Sequence, residues 1–99
     1  MSKKFYTEYV RHALRFYTRY LHEPVFQSDA SKENWKCCYS VLSKYPEKDR
    51  NILIDVYKGY DTIADEVYNA SKKYNICQDV IWDMMKEAER KIALRRGLL

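Results

Sequence analysis

The chain reads as an all-α domain of about five helices. Three observations predict this: only two Gly interrupt the 99 residues, no stretch alternates apolar and polar residues over a strand's length, and apolar residues recur at three- and four-residue steps. The length matches one domain, so residues 1–99 are expected to fold as a unit. Within it, residues 4–44 form an added two-helix support, and residues 46–94 form the remaining three helices.

The first helix is expected over residues 4–21. Its segment Lys4-Phe5-Tyr6-Thr7-Glu8-Tyr9 is echoed by Arg15-Phe16-Tyr17-Thr18-Arg19-Tyr20 after 11 residues, close to three helical turns, so both copies share a face. Tyr6, Tyr9, Val10, Ala13, Tyr17 and Tyr20 make its apolar stripe. Arg11, Arg15 and Arg19, each four apart, make a solvated basic flank. His22-Glu23-Pro24 ends the helix, because Pro disfavours the helical conformation in the residue before it.

A second helix is expected from Asp29 or Ser31 to Lys44, with Trp35, Cys38, Tyr39 and Leu42 inward and Trp35 as a core anchor. Tyr45-Pro46-Glu47 restarts the chain, since Pro suits a first turn and acids there oppose the helix dipole. Ile52, Leu53, Val56 and Tyr57 form the third buried stripe, and Gly59 closes it. Asp61 stands where a fourth helix would be capped, with Ile63, Ala64, Val67, Ala70 and Tyr74 inward and an end near Lys72-Lys73. Asn75 is placed as the cap of a long fifth helix. There Ile76, Val80, Ile81, Met84, Met85, Ala88 and Ile92 face the core until Arg95-Arg96-Gly97.

Ten Tyr, three Phe and two Trp, with 46% hydrophobic residues, exclude a linker or a disordered tail. No run approaches the 18 apolar residues of a membrane span. Met1-Ser2-Lys3-Lys4 leads into Phe5-Tyr6 without the apolar run of a signal peptide, so the expectation is a cytoplasmic protein with no membrane contact. Three Cys, with Cys37 and Cys38 adjacent, suit buried reduced thiols better than a disulfide framework. Cys77, His12 and His22 lack the paired spacing of a zinc site, so neither a metal nor a cofactor is expected. Acids adjacent or two apart on a helix, such as Asp65-Glu66 or Glu87 with Glu89, do not converge on a substrate and are expected as solvated surface, and no nucleophile motif or phosphate loop is present, which argues against an enzyme.

The net charge of +4 is uneven. Residues 1–22 hold five Lys or Arg against Glu8, and the run from Arg90 to Arg96 holds four bases and no acid. Such an excess favours a polyanion, although bases in a last helical turn also complement the helix dipole.

The segment from Glu47-Lys48-Asp49-Arg50 through Ile52-Leu53-Ile54, Tyr57, Gly59 and Thr62-Ile63-Ala64 to Val67 resembles the opening of region four of bacterial sigma factors and of the small sigma-like regulators of phages and mobile elements. The end, from Val80-Ile81-Trp82 to Leu98-Leu99, resembles the recognition helix and its tail. About half the chain is covered. The resemblance implies a helix-turn-helix in residues 46–94 and a DNA-binding transcriptional regulator, with double-stranded DNA as partner.

On that reading Asn75, Gln78, Asp79, Trp82 and Asp83 lie at the base-reading end, where Gln can pair with adenine and Asp can accept from cytosine. Lys72, Lys73, Lys86, Arg90, Lys91, Arg95 and Arg96 are the candidates for phosphates. The stretch from Val67 to Val80 exceeds the family's tight junction and lacks its Gly, implying an extended first helix or a different crossing. The alternative is a protein-interaction module on the same scaffold, using Trp82 with Asp79 and Asp83, or the Tyr-rich first helix. RNA polymerase, another protein, or a second copy of the chain would then be the partner.

Overall fold

The computed structural model describes residues 5–22 and 24–99. Five α-helices follow one another: α1 (Thr7–Arg19), α2 (Asp29–Leu42), α3 (Glu47–Lys58), α4 (Ile63–Tyr74) and α5 (Gln78–Arg96). No strand occurs among the described residues. α1 packs on α2, α3 and α5, while α4 packs on α3 and α5. The shared core holds Leu14 of α1, Leu42 of α2, Leu53 and Tyr57 of α3, Val67 of α4 and Met85 of α5, all fully buried.

The α3 stripe of Ile52, Leu53, Val56 and Tyr57 is buried as its spacing requires. On α5, Ile81, Met85, Ala88 and Ile92 are buried, and Gly97 closes the helix with a left-handed φ of 81°, a conformation that favours glycine.

Several expectations are corrected. α1 ends at Arg19 rather than at 21, with Tyr20 as its cap. The end therefore comes before the His22-Glu23-Pro24 stop, of which Glu23 lies outside the described residues. The expected start at Lys4 lies outside them as well. Tyr9, Tyr20, Tyr39 and Val80 are exposed rather than inward, as is Ala64. A Tyr at the edge of a stripe can bury part of its ring and keep its hydroxyl in water. At Tyr9 the exposed hydroxyl also accepts from the Asn34 amide nitrogen at 3.1 Å. Leu14, Cys37 and Val41 complete the core instead.

Trp35 is half-buried. It seals the core edge through a stacked contact with Tyr39 and an edge contact with Tyr17, and its Nε1 donates to the Tyr20 carbonyl at 3.0 Å.

The caps also differ. Ser28 caps α2, accepting from the Ser31 amide, and Thr62 rather than Asp61 caps α4, accepting from the Asp65 amide. Asn75 is not the N-cap of α5, a position that Cys77 occupies. Asn75 ends α4 in the left-handed region, at φ 53° and ψ 52°, and so takes the role a Gly has in a tighter turn. The Ile76 amide donates back to the Ser71 carbonyl, and the Ser71 hydroxyl donates to the Ile76 carbonyl at 2.6 Å. α4 is thus prolonged to Tyr74, and three residues carry the chain into α5.

Asn75→Gly is expected to leave stability equal or slightly higher. Asn75→Val should lower it by about 1–2 kcal/mol, because a β-branched residue resists this conformation. Urea midpoints of the two variants check this, and equal midpoints would contradict it.

Candidate nucleic-acid interface

The expected solvated flank of α1 is instead a clamp on the end of α3. A helix leaves its last carbonyls without intrahelical donors, and α1 supplies donors from outside. The Arg15 guanidinium donates to the carbonyls of Tyr57, Gly59 and Asp61. Arg19 donates to those of Lys58 and Gly59, and lies 4.2 Å from the centre of the Tyr60 ring. Gly59 has an ordinary extended backbone, and what fixes it is proximity. A Cβ there would stand 2.0 Å from a Glu66 carboxylate oxygen, the same oxygen that accepts from the Asp61 amide. The α3–α4 junction is therefore set by α1, from outside α3 and α4.

Arg11 is the third member of this row. Its Nε donates to Glu89 Oε2 at 2.9 Å, and the Tyr57 hydroxyl donates to the same oxygen at 2.5 Å. Glu89 is only 3% exposed. Burial, followed by the Glu89 charge and hydrogen bond, holds the Tyr57 hydroxyl well above its ordinary pKa, so it remains a donor. Glu89 is therefore not the solvated surface carboxylate expected of it alongside Glu87. Its signal is its place four residues after Met85 and three before Ile92, on a stripe that is otherwise apolar.

Of the base-reading candidates, Asn75 forms the turn and is exposed, and Gln78, Asp79 and Asp83 are exposed on the first turns of α5. Asp79, Asp83, Lys86 and Arg90 are three or four residues apart, and all are exposed, so they form one solvent-facing strip. Asp79 has a local reason to be there, since an acid in the first turn opposes the helix dipole. Trp82 departs from the group: it is half-buried, with the Arg11 guanidinium 5.9 Å from its ring centre.

The phosphate candidates separate into distinct settings. Lys72, at the end of α4, is exposed and lies 5.2 Å from the Tyr68 ring centre. Lys86 is exposed two turns into α5. Lys73 is engaged by Asp55 at 2.7 Å. Arg96 is half-buried, its Nε donating to Asn34 at 2.6 Å, and Lys91 pairs with Glu87 at 3.3 Å. Lys91 and Arg95 also lie roughly 20–25 Å along the axis from Gln78, at about 1.5 Å per residue. They therefore stand at the opposite end of α5 from Gln78.

Asp55 receives the Tyr74 hydroxyl as well as Lys73. Burial pushes its carboxyl up, but the hydrogen bonds from Lys73 and Tyr74 outweigh this, and the net pKa lies below its ordinary 3.8. The resulting stabilisation is present above that ordinary value and is lost as pH falls through the lowered one. Asp55→Asn should therefore have a lower urea midpoint than the parent near pH 7. The gap should close as the pH is taken below 3.8, and a gap that persists would contradict the assignment.

Cys37 and Cys38 are buried thiols as expected, whereas Cys77 is exposed. His12 on α1 and His22 beyond it are exposed, and the described residues contain no group of three or more potential metal ligands. No helix among them is long and apolar enough to cross a membrane.

Comparison of the chain with protein-family models, curated proteins and solved structures finds no match.

Proposed function

We propose that the protein is a sequence-specific DNA-binding regulator of the helix-turn-helix type, with α3 to α5 acting as a sigma region four-like unit and α1 and α2 as its support. One observation carries the reading. A helix of 12 residues leads through a left-handed turn at Asn75 into a helix of 19 residues, whose first turns expose Gln78, Asp79 and Asp83.

A helix-turn-helix reads DNA by placing the start of its second helix in a major groove, the role proposed for the start of α5. Gln78 offers both a donor and an acceptor to a base edge, and Asp79 and Asp83 offer acceptors that suit the cytosine amino group. Lys72 and Lys86 are the cations placed to meet phosphates near that end. Trp82 is half-buried beside Arg11, so the reading gives base contact to its exposed neighbours, and Asn75 shapes the turn.

With Asp79 and Asp83 set among these cations, affinity for arbitrary DNA is modest and discrimination between sequences comes from base contacts. Selection from a random duplex library tests this: a recurrent motif is expected, and an unenriched pool would contradict it. The second reading, a protein-interaction module, is favoured by exposed Val80 between Asp79 and the core-facing Ile81. It predicts that the same surface has no preference among duplexes.

A further inference from the structure

The other end of α5 carries a different surface. Val41 and Lys44 from α2 and the start of its following turn, with Lys91, Leu94 and Arg95 from α5, line an open groove of about 360 Å³. Its apolar part includes Leu94, which is 48% exposed on the last turns of the helix. Lys44, Lys91 and Arg95 are all exposed. Among the described residues the acid tied to them is Glu87, which pairs with Lys91 at 3.3 Å and accepts from the Tyr45 hydroxyl at 2.8 Å. Three cations against one carboxylate leave the groove positive.

From this charge and the apolar floor we infer that the groove docks an acidic amphipathic helix of a partner protein, with an apolar ridge over Leu94, which Val41 backs from the core, and carboxylates toward Lys44, Lys91 and Arg95. An apolar floor between the cations has no role in holding phosphates but accepts the ridge of a helix. A second copy of the chain seated by a two-fold axis would bring each cation toward its own equivalent, and the repulsion opposes that arrangement. The inference is independent of the DNA reading, because α2 lies outside the helix-turn-helix and the groove is roughly 20–25 Å along α5 from Gln78.

The test uses the full chain and a fluorescent synthetic helix with Leu at every third and fourth position and Asp or Glu flanking them, beside a version carrying Asn and Gln in place of the acids. The acidic helix should bind at least about tenfold more tightly than its neutral version, and Lys44→Glu or Leu94→Ala should each weaken it by about tenfold. Both substitutions are at exposed positions, so circular dichroism should show unchanged helix content.

Absence of binding, equal affinity for the neutral helix, or unaltered affinity in both variants would overturn the inference. A fall in duplex DNA affinity in Lys44→Glu as large as the loss of peptide would make the groove a phosphate contact. A concentration-dependent dimer dissolved by Lys44→Glu in sedimentation would assign the groove to a second copy. Either result also overturns the inference.

Discussion

Replacing Arg11 by Met is expected to lower folding stability by about 3–5 kcal/mol, because it leaves a buried carboxylate without its cation. Glu89 is 3% exposed, with Arg11 and the Tyr57 hydroxyl on the same oxygen. Met keeps much of the Arg stem volume but supplies neither charge nor donor. One hydrogen bond from Tyr57 does not offset the desolvation of an anion.

The double variant Arg11→Met with Glu89→Met removes both charges. It should recover part of the loss, although Tyr57 then keeps a buried hydroxyl with no acceptor. Urea unfolding of the parent, the two single variants and the double variant closes a thermodynamic cycle. A cost for Arg11→Met below about 1 kcal/mol, or a double variant no more stable than Arg11→Met, would show that Glu89 does not depend on this cation.

Gln78→Ala should flatten sequence preference while leaving the fold intact. A side-chain amide that reads a base edge contributes about 1–3 kcal/mol of discrimination. The ratio between the best duplex and one altered at the contacted position should therefore fall roughly 5- to 150-fold. Lys86→Ala should act differently, weakening all sequences alike and reducing the slope of log affinity against log salt by about one. Arg95 lies too far along α5 to share this surface, and Arg95→Ala should leave preference unchanged. If Gln78→Ala keeps the parent's preference, that residue has no reading role.

The helices and most of the core could be read from the sequence because burial on a helix repeats every three or four residues. The α3 stripe and the Gly97 cap follow from that period and from glycine's tolerance of positive φ. The Arg flank of α1 could not be read in the same way. Its spacing shows that Arg11, Arg15 and Arg19 share a face, but only the crossing of α1 over α3 and α5 shows that this face meets free carbonyls and Glu89.

The same limit divided the candidate site. Gln78, Asp79, Asp83 and Lys86 are exposed, as polar residues at three- and four-residue steps between apolar ones suggest. Lys73 and Arg96 look equally solvated in sequence, yet Asp55 and Asn34 hold them from neighbouring helices. Asn75 was misplaced because Asn serves both as an N-cap and in the left-handed conformation, and the local sequence suits either.

The most direct test is fluorescence anisotropy of labelled duplex DNA titrated with the protein at about 50 and 200 mM salt, in parent and Lys86→Ala forms. The expected result is measurable binding at the lower salt that weakens at the higher, with a shallower slope in the variant. No binding of the parent at either salt, or a slope that Lys86→Ala leaves unaltered, would contradict a DNA-reading surface at the start of α5.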